Sequence, residues 1–188
     1  MNLNDETVIA ATRNWLEKAV IGLNLCPFAR AVYADNRIRY AVSDATTAEA
    51  LLETLASELQ ALADADETVT ETTLLIHPLV MGDFLDYNDF LEIADVLVAD
   101  LGFEGALQVA SFHPQYQFAD SSAGDVDNCT NRSPYPTLHL LRESSVERAV
   151  AAHPDTEQIY RDNIKTLRQL GHEGWARLNV GTPRSKPS

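Results

Sequence analysis

Four short apolar runs, separated by two helix-length amphipathic segments and one long polar connection, restrict this chain more than any other feature of its 188 residues. Residues 37–42 alternate Ile38, Tyr40 and Val42 with Arg37, Arg39 and Ala41, the period-two pattern of a half-buried strand. The run TTLLIHP, which ends at His77-Pro78, is continuously apolar, as in a strand covered on both faces. ALQVASF, up to Phe112, and TLHLL, from Thr137, supply two more strands. Between the first and second, Thr46-Thr47-Ala48-Glu49 is a capping-box pattern that opens a helix striped with Leu51, Leu52, Leu55, Leu59 and Leu62. Between the second and third, DFLDYNDFLEIADVLVADLG predicts a helix with Phe90, Ile93, Ala94, Leu97 and Leu101 inward and Gly102 closing it. This alternation favours crossover connections and therefore parallel strands. The fourth run follows the third without a helix, so it is expected to lie antiparallel to it or at an edge. The expectation is an α/β fold: a single domain over residues 1–178, with a small mixed, mostly parallel, four-stranded sheet packed with helices. Helical flanks are expected at both ends, and a disordered tail over residues 179–188.

The flanks carry their own signals. Asn4 is an N-cap residue, and Asp5 and Glu6 fall in the first turn, where carboxylates favour the helix dipole. Val8, Thr12, Trp15, Ala19 and Leu23 then recur at helical spacing up to Gly22, a plausible terminator. In GLNLCPFARAVY, Pro27 suits the first position of a short helix capped by Cys26. Beyond the sheet, a capping box at Ser144–Glu147 starts a helix that ends near His153-Pro154. Thr156–Leu170 forms another, stopped by Gly171, and HEGWARL adds a last turn.

Charge is unevenly placed. Between Arg39 and Arg132 there is no lysine or arginine, while acidic residues recur throughout, and the whole chain carries −14. Such a field repels phosphate backbones and anionic lipid, which argues against nucleic-acid or membrane-surface partners. No apolar run reaches the roughly 18 to 20 residues needed to span a bilayer. The amino-terminal stretch lacks a basic start and an apolar signal core, and two cysteines suit a reducing, cytoplasmic setting. A disulfide between Cys26 and Cys129 stays open at this point.

The chemistry is expected around the long connection from Ser111 to Glu143, which is punctuated by Gly, Pro and Asx residues and is too aromatic for plain disorder. Two apolar strands end in His-Pro, at His77 and His113. Parallel strands would put both rings at the carboxyl edge of the sheet, where open α/β sheets bind ligands. Neighbouring strands, about 4.8 Å apart, would turn them into one pocket. Cys26 at a helix start beside Arg30 would be a stabilised thiolate. The sharpest reading makes Cys26 the nucleophile and His113 its general base, with Arg132 anchoring an anionic small molecule through its planar fork. Asn131 or Asp120 would orient the imidazole, and Tyr116, Tyr135 and His77 would line the pocket. Each residue also has a plainer reading. A histidine at a strand end bonds to backbone, a free cysteine packs as a small hydrophobe, and Arg132 rigidifies an acidic loop. His139, inside a strand, reads as a core or surface histidine, and Cys129 as a loop residue without a role.

The segments GLNLCPFA (Gly22–Ala29), SFHPQYQFAD (Ser111–Asp120) and TNRSPYPTLHLLRE (Thr130–Glu143) resemble the signature blocks of a bacterial family catalogued as domain of unknown function 1415. The resemblance implies a cytosolic stand-alone bacterial protein and supplies no activity or cofactor; Cys129 departs from its block. Three readings therefore stand: a small-molecule enzyme, a noncatalytic ligand-binding or protein-interaction module, and a metalloenzyme. The last would use His77 and His113 with Asp83, Asp86 or Asp120, although no metal-binding spacing supports it. No cofactor is expected, since GxGxxG, GxxxxGK[ST] and GxSxG are all absent.

Overall fold

The computed structural model describes residues 4–152 and 155–182. Its centre is a four-stranded mixed sheet of β1 (Ile38–Val42), β2 (Thr72–Ile76), β3 (Leu107–Phe112) and β4 (Thr137–Arg142), in the order β1-β2-β4-β3. β1 and β2 pair in parallel, and β4 pairs antiparallel with both β2 and β3. Three strands thus share one direction, as the alternation of elements implied, and β4 alone is reversed. β4 is antiparallel to β3, as expected, and sits between β2 and β3 instead of at an edge. The expected mostly parallel sheet is corrected, because only one neighbouring pair is parallel and most of the pairing is antiparallel.

The sheet is covered on both faces. Period-two alternation sends Leu75, Leu138, Leu140 and Leu107 to one side. There they meet α3 (Ala48–Asp64) and α4 (Phe84–Asp100). Of the predicted α3 stripe, Leu51, Leu55, Leu59 and Leu62 are fully buried and Leu52 is half-buried. The cap is Thr47, one residue after the start of the capping-box pattern, and it accepts from the Ala50 N–H. In α4 the inward set is shifted. Tyr87, Phe90, Ala94 and Val98 are buried, whereas Ile93 and Leu101, expected inside, are exposed. The Tyr87 ring takes the inner position because its O–H finds the Thr137 carbonyl at 2.8 Å, so burial leaves no unpaired hydroxyl.

The opposite face carries Ile38, Tyr40, Leu74, Ile76 and Phe112, which pack beneath α1 (Asp5–Trp15) and its continuation. Asn4 caps α1 through the Thr7 N–H, and Val8, Thr12, Trp15 and Ala19 form the buried stripe as expected. The sequence gives no warning that the helix widens into a π-helical stretch over Leu16–Ile21. Gly22 follows, still in helical geometry, and is required for a steric reason: a Cβ there would lie 2.4 Å from the Lys18 carbonyl oxygen. The backbone leaves the helix at Asn24, which adopts φ +55°. The short α2 (Ala29–Ala34) follows with Phe28 in the cap position, so Cys26 precedes the helix instead of capping it.

α5 (Glu143–Ala152) leaves β4 without a break and starts slightly earlier than its capping-box pattern suggested. α6 (Thr156–Leu178) kinks at Gly171, which adopts φ +66°, where the sequence placed a stop. Part of the segment read as a tail is packed: Val180 is buried beside Trp15, and the Asn179 carbonyl accepts from Asn14. His153-Pro154 and residues 183–188 lie outside the described residues. No helix among the described residues is long and apolar enough to cross a membrane.

Gly22→Ala is expected to cost about 1–3 kcal/mol, the usual range for overpacking. Urea unfolding should show a lower midpoint at unchanged slope; an unchanged midpoint would remove the steric argument.

Candidate functional site

Both His-Pro exits do lie at the same end of the sheet, since β2 and β3 each run antiparallel to β4. They are not neighbours, however, and the start of β4 separates them. The space between the two imidazoles is filled by Tyr87, whose ring stacks on His77 at 5.7 Å and lies tilted against His113 at 5.0 Å. The His113 ring is fully committed. Its Nε2 faces the Met81 carbonyl at 3.0 Å and must carry the proton, while Nδ1 accepts from the Gln115 N–H at 3.0 Å. Burial lowers its pKa, so the neutral ring acts as a bridge between two loops. Neither Asn131 nor Asp120 orients it. Asn131 instead extends the edge of β3, its carbonyl accepting from His113 N–H and its amide donating to the Ser111 carbonyl; Asp120 is exposed. His77 is sealed: its Nδ1 faces the Val80 carbonyl at 3.2 Å, and its Nε2 is buried without a partner among the described residues. Burial brings its pKa down to about 4. With these nitrogens turned toward backbone, no group of three His, Cys, Asp or Glu among the described residues is placed to hold a metal ion.

The long connection is an ordered cap. Its hub is the fully buried Asn128, in a 3₁₀ turn over Val126–Asn131. The Asn128 side-chain oxygen accepts from Phe118 N–H and the Ser121 hydroxyl, and its amide donates to the Ser122 carbonyl. Arg132 donates to the Tyr116 and Ala123 carbonyls at 3.1 and 2.7 Å, splinting the loop. Arg168 of α6 grips Asp127 from outside. Tyr116 packs on Phe84, which also covers His113, and Tyr135 is buried against Val8, Leu74 and Ile76. Arg132 also borders an open groove with Gln115, but Asp83 stands in the same groove and already caps α4 through the Leu85 and Asp86 N–H groups. The cationic and helix-terminal features that suggested an anion site are thus occupied by the protein's own groups.

Cys26 lies elsewhere. Phe112 and His113 are consecutive, so they point to opposite faces, and Cys26 packs on the Phe112 side. There it borders a cavity of about 310 Å³ between the sheet and its helical cover. Trp15 and the π-helical Leu16 and Val20 form one wall, and Val146 and Ala149 of α5 form another. The floor is Leu74, Leu141 and, between them in the fabric of the sheet, His139. At one end sits Glu71, only 8% exposed, whose carboxylate is held by Arg37, Arg148 and the Ser145 hydroxyl. Arg30, expected beside Cys26, is turned away and donates to the Ile21 carbonyl.

His139, which the sequence suggests is a core or surface histidine, is a polar feature of this cavity. The Thr72 hydroxyl lies 2.6 Å from the Leu140 carbonyl, to which it must donate, and 2.7 Å from His139 Nε2. With its one proton spent, Thr72 can only accept from the ring, so Nε2 carries the hydrogen and Nδ1 is a bare acceptor. Burial lowers the ring's pKa to about 4 and keeps it neutral. Nδ1 has no partner among the described residues, and unlike His77 Nε2 it is not sealed. The available signal was a histidine at an inward position of the TLHLL alternation, with no charged neighbour to explain it.

The structure therefore gathers His77, His113, Tyr116, Asn131 and Arg132 around the capped edge of the sheet, and sets Cys26 apart on the other face. A family model described as "Protein of unknown function (DUF1415)" matches residues 7–177. No curated protein and no solved structure matches the chain.

Since His77 and His139 have folded pKa values near 4, below the ordinary 6.5, the unfolded chain binds protons that the folded one refuses. Their contribution to stability is complete above pH 6.5 and is lost as pH falls toward about 4. Urea unfolding across that window should give a falling free energy, and His77→Gln should flatten the slope. A profile level between pH 6.5 and 5 would contradict the buried neutral rings.

Proposed function

The chain belongs to that family, whose description assigns no activity, and we propose from its own side chains that it binds a small, predominantly apolar molecule between the sheet and α5. The observation that carries this reading is the cavity beside Cys26 and His139, walled by aliphatic and aromatic side chains and bordered by an imidazole whose Nδ1 has no partner among the described residues. At about 310 Å³ it is at the small end of ligand pockets, which are typically apolar with a few placed polar groups. Access is through α5. That helix has no fully buried residue and is tied down by Ser145 and Arg148 on Glu71, so it is the wall with least to lose on opening.

A second reading is supported by Cys26 itself, a nucleophilic side chain on the wall of the same cavity. In that reading the protein is an enzyme acting on the bound molecule through the thiol, with His139, not His113, as the imidazole that shares its space. An anionic substrate suits neither reading: Arg132 and Arg30 do not line the cavity, and Glu71 does.

The test is direct binding of n-heptanol, followed by Trp15 fluorescence and thermal unfolding. Saturation at about 100 times Kd should stabilise the fold by about 2.7 kcal/mol. Ala149→Trp, which fills the cavity from α5, should abolish binding and leave a folded protein. Equal binding by this variant would place the site elsewhere. Alkylation of Cys26 by iodoacetamide should slow in the presence of n-heptanol, and a turnover that survives Cys26→Ala would reject the thiol reading.

A further inference from the structure

Resting on the cavity reading, we infer the chemical class of its ligand: a neutral molecule with an apolar body and one hydrogen-bond donor, an alcohol or phenol, which donates to His139 Nδ1.

Three observations converge on this class. The first is the fixed direction of the imidazole. Thr72 is committed to the Leu140 carbonyl, so it holds His139 in the Nε2–H form and prevents the ring from presenting a donor to the cavity. The second is the engagement of the oxygen-bearing side chains on the walls. Glu71 is held by Arg37, Arg148 and Ser145, Ser145 donates to Glu71, and Thr72 donates to the Leu140 carbonyl, whereas His139 Nδ1 has no partner among the described residues. The Cys26 thiol, a weak donor and acceptor, is the other uncommitted group. The third is charge. No lysine or arginine among the described residues lines the cavity, and the carboxylate at its end is already matched by two guanidinium groups. A carboxylate ligand would be desolvated with no cation to meet it. An ammonium would lose its water for one neutral acceptor, and the desolvation of an ion far exceeds a single hydrogen bond. A pure hydrocarbon would leave Nδ1 dry and unpaired, which is the costly outcome for a buried acceptor. A molecule that only accepts hydrogen bonds would place a lone pair against a lone pair. The neutral donor alone satisfies the ring.

Thr72 is a positioning residue in this scheme. It never touches the ligand's donor, and it decides which ring nitrogen is bare.

The experiment compares ligands that differ only in this respect. n-Heptanol and methyl hexyl ether are isomers of equal size, one able to donate and one not; n-octane and heptanoate supply the uncharged and anionic controls. Binding to the intact wild-type chain is measured by calorimetry, and the His139 ring nitrogens are followed by long-range proton–nitrogen correlation spectra. n-Heptanol should bind about tenfold more tightly than the ether, the worth of one well-placed hydrogen bond. The Nδ1 resonance should move on addition of n-heptanol and stay in place with n-octane. His139→Phe should bring the alcohol-to-ether ratio to about one while n-octane still binds. Ether binding as tight as n-heptanol, or heptanoate binding tighter, would overturn the donor assignment and leave the cavity reading intact. Failure of all four compounds, n-octane included, would overturn both. If His139→Phe does not fold, the wild-type isomer ratio and the Nδ1 shift decide the question without it.

Discussion

β4 is the strand on which both faces of the molecule depend. It is hydrogen-bonded on both edges, to β2 and to β3, and its side chains feed two different interiors. Leu138 and Leu140 enter the core under α3 and α4, while His139 and Leu141 floor the cavity on the other side. A shift by one residue would exchange these sets, putting an imidazole into the leucine core and leucines where the acceptor stands. The register is accordingly pinned at both ends. Near the start, His77 N–H donates to the Pro136 carbonyl and Tyr87 O–H to that of Thr137. At the far end, Arg142 donates to the carbonyls of Leu62 and Ala65 at 2.7 and 2.8 Å, closing the carboxyl end of α3 onto the sheet.

That arrangement explains why three buried histidines have three different standings. All have pKa values pulled down by loss of solvent, so none carries charge near neutrality. They differ in what the second nitrogen meets. In His113 both nitrogens are used by backbone, and the ring ties the residue 81 turn to the start of the long connection. In His77 the second nitrogen is walled in by packing, a cost the fold accepts to keep Tyr87 stacked between the two rings. In His139 the second nitrogen has no partner among the described residues, and the ring lines the cavity beneath α5. Burial and lowered pKa alone would have ranked His77 and His139 together; the geometry around the bare nitrogen separates them.

Much of the fold was legible in the sequence because it is written in local periodicity. The caps at Asn4 and Thr47, the α3 leucine stripe, the four strands and the break at Gly171 each depend on residues within a few positions of one another. The place of β4 does not. Strand order is a long-range choice, and an antiparallel strand joined by a long connection can sit beside its predecessor on either edge. The inward set of α4 was misplaced because period alone does not weigh a tyrosine that can satisfy its hydroxyl against an isoleucine that needs nothing. At the site, the coincidence of two His-Pro exits correctly located a common edge. It could not reveal that Tyr87 would occupy the space between them, or that Cys26 would pack beside Phe112 and therefore across the sheet from His113.

The two faces also differ in how firmly they are held, and this bears on which of them can accommodate a ligand. On the α3 and α4 side, fully buried leucines interlock with Tyr87, Phe90 and the sheet, so opening that face would expose the main core. On the other side the cover is heterogeneous: a widened helical stretch, a six-residue helix, and α5 with no buried side chain of its own. The ties that hold α5 run through Arg148, about half exposed and therefore worth little in water. Glu71, by contrast, is buried and would retain Arg37 if Arg148 let go, so its charge would not be stranded when the cover moves. A carboxylate with two partners, one fixed to the sheet and one to the helix above it, lets that helix part from the floor without leaving a buried charge alone. The more loosely held cover therefore lies on the side on which the unpaired imidazole nitrogen stands.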